Sequence, residues 1–194
     1  EWRQRSAFGG VLLYLAASAF TAYLAFDGII GIREWNVLYW LIMLFASMNA
    51  VLKSSIQESE SRHMYYYTLV GAGDIISAKI LYNSLIILIL GITGFGIFMA
   101  FMGIPIESPA LFIVNMMLGM LGFASVLTLV SAIAAKAGSN FTLMAILGFP
   151  LVLPMLLLLI PVSSECIAGA ELIELAADMM LTVLLIVVSI LLSV

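Results

Sequence analysis

Chemistry in a protein chain needs ionisable or nucleophilic groups brought together, and here they are scarce. The chain has one histidine, His63, and one cysteine, Cys166. A single imidazole with no second His or Cys beside it makes a poor metal or haem ligand set, and His63 is most simply an exposed cytoplasmic side chain. The lone Cys166 leaves no disulfide framework and no CxxC redox chemistry. Nucleotide hydrolysis would need GxxxxGK followed by Ser or Thr, whereas the one Lys-Ser pair, Lys53-Ser54, follows Leu52. Twelve methionines, Met116, Met117 and Met120 among them, could include an axial haem ligand, but such residues more simply fill gaps or face lipid. No catalytic constellation, resident cofactor or metal site is expected.

The charges that do exist are spaced as a ruler. Lys79, Glu107, Lys136 and Glu165 alternate in sign at separations of 28, 29 and 29 residues, with no charge between them. A helix of 28 residues reaches about 42 Å, enough to cross a hydrocarbon core of roughly 30 Å with its interfaces. Such a stretch of chain cannot be buried in a soluble fold of 194 residues. The composition, 64% hydrophobic and 9% charged, with a mean hydropathy of +1.24, belongs to the membrane class.

Because lipid cannot hydrogen-bond a peptide group, long uncharged runs without alternation must be helices. An all-α integral membrane protein follows, one transmembrane domain with six spans near residues 8–26, 35–52, 80–102, 110–135, 140–161 and 174–194. The basic start, with Arg3 and Arg5, is read as a short surface helix leading into a retained first span rather than as a signal peptide. An opening without Met predicts that further residues precede Glu1. Six of the seven Lys and Arg residues (Arg3, Arg5, Lys53, Arg62, Lys79, Lys136) fall on one side, and Arg33 on the other. The positive-inside rule then places both termini in the cytoplasm of a bacterial inner membrane. Asp27, Glu34, Glu107, Glu165, Glu171, Glu174 and Asp178 collect on the outer side, so the formal net charge of -4 belongs to that face and does not indicate a nucleic-acid partner.

Two connecting segments are substantial. The inner one, 53–79, holds Lys53, Glu58, Glu60, Arg62, Asp74, Lys79 and His63, and breaks at Gly71-Ala72-Gly73. It predicts a short surface helix, a hinge, and a rising helix capped by Asp74. Tyr65-Tyr66-Tyr67 is read first as an interfacial anchor and next as a partner-docking surface. The outer segment, 161–178, carries Glu171, Glu174 and Asp178 on one helical face. Within the spans, Gly119, Gly122, Ser125, Thr128, Ser131 and Ala135 form a stripe of small residues. Close helix packing is its simpler reading, and a substrate-facing groove the sharper one. Pro150 and Pro154 predict a kink in the fifth span. No acid, base or His lies in the middle of any predicted span, which argues against an autonomous pump. The polar groups expected at depth are Asn49, Asn83, Asn115 and several Ser and Thr.

Six spans, a surface helix before the first and a cytoplasmic helix between the second and third resemble the plan of ABC-2 type permeases. The opening EWRQR, the stretch QESESRHMYYYTLVGAGDIISAKILYNS from Gln57 to Ser84, and KAGSNFTLMAILGFPLVLPMLLLLIP from Lys136 to Pro161 look like the cytochrome c maturation protein B family of haem exporter permeases. AGSNFTLMA, FPLVLP and the aromatic run before SAKILYN carry most of the specificity. The sequence departs from the family pattern at Gly71-Ala72-Gly73 and in the outer segment. The resemblance implies a permease subunit, paired within a dimer of permease subunits. It also implies a separate ABC ATPase that binds ATP, haem-handling membrane proteins, and a periplasmic haem chaperone whose loaded form ATP hydrolysis releases. Haem would be handled by the complex.

The expected function is therefore that of a non-catalytic permease subunit in cytochrome c biogenesis, with Glu58, Arg62, Tyr66 and Asp74 coupling it to the ATPase. An ABC-2 permease exporting lipid, polysaccharide or drug is the rival within transport. A membrane scaffold that anchors haem-handling proteins is the rival from another class.

Overall fold

The computed structural model describes residues 2–27, 30–56, 72–103, 106–136 and 141–193. These fold into six helices: α1 (Trp2–Ala25), α2 (Ile32–Ile56), α3 (Ala72–Met102), α4 (Pro109–Lys136), α5 (Phe141–Ile167) and α6 (Leu172–Ser193). No strand occurs among the described residues. Five helices are long and apolar enough to cross a membrane, with apolar stretches at Ile32–Ser54, Gly73–Met102, Pro109–Ala134, Ala145–Ile167 and Leu172–Ser193. The apolar part of α1, Gly9–Ala25, is shorter. The surface helix expected before the first span is absent as a separate element, because α1 runs without a break from Trp2.

The helix ends obey local chemistry. Pro109 opens α4, where its fixed φ suits a first helical residue and its missing N–H costs nothing. Gly103 closes α3 at φ +47°, its N–H donating to the Met99 carbonyl. Gly169 closes α5 at φ +91°, and the Ala170 N–H donates back to the Glu165 carbonyl at 3.0 Å in the six-to-one pattern of a Schellman cap. This cap corrects the expected outer segment. Residues 161–167 remain helical and 172–178 already belong to α6, so only residues 168–171 form the turn. Pro161, like Pro150 and Pro154, lies inside α5, and its missing N–H does not end the helix.

Within the bundle, α4 touches α2, α3, α5 and α6, while α1 packs on α2 and α3 at one edge and α6 on α4 and α5 at the other. The core between α2, α3 and α4 is aromatic. Trp35 stacks on Tyr39 with ring centroids 5.5 Å apart, Phe98 meets both edge-on, and Phe112 tilts against the pair. Edge-to-face and offset rings of this kind contribute about 0.5–1.5 kcal/mol per pair beyond area burial. They fix the register of the three helices.

Glycines set how closely α4 is approached. A Cβ on Gly119 would stand 2.5 Å from the Trp40 ring, and one on Gly122 would collide with Met155. Ser125, Thr128 and Ser131 are buried, and Thr128 accepts a hydrogen bond from Asn83 of α3 at 2.9 Å. The small-residue stripe is thus filled by Trp40, Met155 and Asn83, which favours the packing reading over the groove.

Candidate functional site: an acid-rich end above a polar knot

The alternation of charge along the chain becomes a segregation of charge in space. Glu107 donates its backbone N–H to the Ile167 carbonyl at 3.3 Å, Ser108 donates its own to Cys166 at 3.1 Å, and the Ser108 hydroxyl donates to Ala170 at 3.2 Å. These three bonds tie the α3–α4 turn to the α5–α6 turn. The side chain of Glu107 packs over Gly169, where a Cβ would strike the carboxylate. A cavity of about 490 Å³ opens here, lined by Glu165, Ala168, Gly169, Ala170, Glu174 and Asp178. Glu174 and Asp178 therefore share a face, as their spacing predicts. Glu171 stands just ahead of α6, its carbonyl accepting from the Glu174 N–H.

At the opposite end, α1 starts beside the end of α2, where Lys53 reaches toward Gly10. Asp74 and Lys79 lie in the first turns of α3, and α4 ends at Lys136. Asp74 is exposed and sits inside the first turn, not at the cap as expected, because α3 begins two residues earlier at Ala72. A carboxylate in a first turn still suits the positive end of the helix dipole. Of the other predicted coupling residues, Glu58, Arg62 and Tyr66 lie outside the described residues, as do His63 and the Tyr65-Tyr67 run.

Beneath the acid-rich end lies a constellation that sequence reasoning missed. Asn36 and Trp40, one turn apart on α2, both reach Ser163 on α5. The Trp40 indole N–H donates to Ser163 Oγ at 2.8 Å, and Ser163 Oγ in turn donates to Asn36 Oδ1 at 2.6 Å. Asn36 Nδ2 donates to the Ile160 carbonyl at 2.7 Å. From α4, Asn115 Nδ2 donates to the neighbouring Leu159 carbonyl at 3.1 Å. The two carbonyls just before Pro161 thus accept side-chain donors from two other helices. All four polar residues are buried. The hydroxyl has one proton and lies within reach of three acceptors, so its donation to Asn36 competes with back-bonding to Leu159 and Ile160.

The signal for this knot was available but faint. Asn36 and Trp40 have the i, i+4 spacing of one helix face, and Ser163 follows a proline, yet no pattern names their partner 123 residues away. Asn49, expected to join helices, instead donates to Phe45 of its own helix. Asn83 and Asn115 do join helices. Beside the knot, Trp35 Nε1, the Tyr39 hydroxyl and Asn115 Oδ1 are buried with no hydrogen-bond partner. Every buried polar side chain among the described residues is uncharged. Groups of three or more His, Cys, Asp or Glu able to hold a metal are absent among the described residues.

Compared with models of protein families, with curated proteins and with solved structures, the chain gives no match.

Proposed function

We propose that this chain is the membrane-embedded permease subunit of an ABC-type complex, moved by a separate ATPase that grips the segment between α2 and α3. The observation that carries the reading is the asymmetry of the connections. The helices are joined by 4 to 6 residues everywhere except between Ile56 and Ala72, where 15 residues intervene. Those residues include Glu58, Glu60 and Arg62. Both flanking helices, 25 and 31 residues long, deliver this charged link to the lysine-bearing end of the bundle. Force applied there acts on two long levers at once.

The reading has α1 crossing with the other five helices, both termini on the cytoplasmic side, and the acid-rich end facing the periplasm. Resemblance of the Gln57–Ser84 and Lys136–Pro161 stretches to haem exporter permeases supplies the biological setting. That setting is cytochrome c biogenesis in a bacterial inner membrane, with the ATPase releasing a haem-loaded periplasmic chaperone. Glu58, Arg62 and Tyr66 contact the ATPase, and Asp74 stabilises the start of the rising helix. ATP stays with the partner, and haem with other members of the complex.

Charge reversal at Glu58 and Arg62 tests it. Loss of co-purification with the ATPase, together with loss of ATP-dependent chaperone release, is the expected result. Retention of both overturns the coupling role. ATPase activity stimulated by a lipid, polysaccharide or drug, with c-type cytochromes made normally in a deletion strain, would instead identify an exporter of another substrate.

A further inference from the structure

We propose that the Asn36–Ser163–Trp40 knot is the pin through which movement of α2 reaches the acid-lined cavity at the far end of the bundle. The inference rests on the ATPase-driven reading above and adds the route inside this chain.

Four links of the route are continuous in the structure. The first is α2 itself, a rigid rod in which 13 residues, about 20 Å, separate Lys53 from Trp40. The second is the knot, three hydrogen bonds of 2.6 to 2.8 Å that fasten two successive turns of α2 to one turn of α5. The third is the last turn of α5, which begins at Ser163 and ends in the carbonyls of Cys166 and Ile167. The fourth is the pair of backbone bonds by which those carbonyls hold Ser108 and Glu107. Glu165 and Ala168, which line the cavity, ride on the same stretch. Displacing α2 along its axis therefore drags the α5 end and the α3–α4 turn together, and changes the spacing of the acids between them.

Two features suit the knot to moving. Its hub is a hydroxyl with a single proton and spare acceptors on its own helix, so the Asn36 bond can be exchanged for Leu159 or Ile160 without leaving Ser163 unsatisfied. Next to it, Trp35 Nε1, the Tyr39 hydroxyl and Asn115 Oδ1 hold unused hydrogen-bonding capacity at the α2–α4 contact. A second register of α2 can use them, which gives the element two arrangements of similar polar satisfaction.

The test uses the full chain with its ATPase in lipid nanodiscs, in a Cys166→Ala background. A cysteine at exposed Ala168 reports on the cavity by its rate of maleimide labelling, with and without ATP. In the parent protein the rate changes with nucleotide. In Ser163→Ala and Asn36→Leu that change shrinks about fivefold, the low end of an ordinary coupling free energy, while co-purification and ATP hydrolysis persist. Ser163→Thr restores it. Trp40→Phe, which keeps an aromatic ring and deletes the donor, is the alternative should Asn36→Leu not fold. An unchanged nucleotide response in these variants overturns the pin and leaves the permease reading standing. Loss of ATPase binding in the variants, or failure of Ser163→Thr to rescue, reduces the knot to a fold determinant and also overturns it. Absence of any nucleotide response in the parent overturns the permease reading, and the pin with it.

Discussion

At the scale of single residues, packing outweighs polar glue in this bundle. Asn83 donates to Thr128 across α3 and α4, a buried side-chain bond of 2.9 Å. Interhelical bonds of this kind inside bilayers average only about 0.6 kcal/mol, because the separated helices find other partners in the membrane. Gly122, by contrast, lies where any side chain must displace Met155, with Ile186 already at contact distance beyond it. Overpacking a filled interior costs about 1–3 kcal/mol. Asn83→Leu is therefore expected to lower stability slightly and Gly122→Val substantially more, as read by SDS titration of the folded protein in mild detergent. The reverse order would mean that the α3–α4 contact, not the α4–α5–α6 contact, limits stability. Gly169 makes a second case. At φ +91° an L side chain is strained, and a Cβ there would also meet Glu107. Gly169→Ala is expected to cost about 1–3 kcal/mol in the same titration.

At the scale of elements, α1 is the helix whose role most needs an experiment. Its apolar part, 17 residues, spans about 26 Å, a little short of a hydrocarbon core of roughly 30 Å. The whole helix is 24 residues and about 36 Å, and carries Trp2, Arg3 and Arg5 at its start, which can sit at an interface while the rest crosses. Val11, Leu15, Ala19 and Ala22 bury one face against the bundle, and Phe20 and Tyr23 reach Phe101 near the end of α3. With Gly10 beside Lys53 at the other end, α1 runs antiparallel to α2 and parallel to α3. Crossing is the expected outcome. In a Cys166→Ala background, single cysteines at Gly9, which faces open space, and at Asp27 should react with a membrane-impermeant maleimide from opposite sides. Reaction of both from one side would lay α1 on the surface. The same element shows what the sequence could and could not reveal. Long uncharged runs disclosed the helices, and the sign of the flanking charges disclosed which ends lie together, because both are set by the solvent and not by neighbours. Element ends were less legible. The sequence ends the fifth span near Pro161, yet the helix continues to Ile167, where the Gly169 cap and tertiary donors satisfy its carbonyls. The knot was illegible for a related reason: Asn36 and Ser163 acquire meaning only through each other.

At the scale of the whole molecule, charge and shape give one axis. One end holds Glu165, Glu174 and Asp178 around a cavity with Glu107 packed over Gly169, and the other holds Lys53, Lys79 and the end of α4 at Lys136. Between them the exposed surface is apolar, with Leu157, Met180, Leu191 and Leu192 each more than two-thirds exposed, as lipid contact requires. A bilayer reads such a molecule through its cations. Lys and Arg in short connections are retained on the cytoplasmic side, whereas Asp and Glu contribute little to the choice. The acid-rich end should therefore face away from the cytoplasm because it is poor in cations, not because it is acidic. In intact bacterial cells with a permeabilised outer membrane, a cysteine at Ile173, which is 85% exposed beside the cavity, is expected to react with an impermeant maleimide, and one at Asp74 only after lysis. Neutralising Glu171 and Glu174 should leave this pattern unchanged. Ready reaction at Asp74 in intact cells would place the α2–α3 link in the periplasm, where no ATPase could reach it, and the proposed mechanism would fail with the topology.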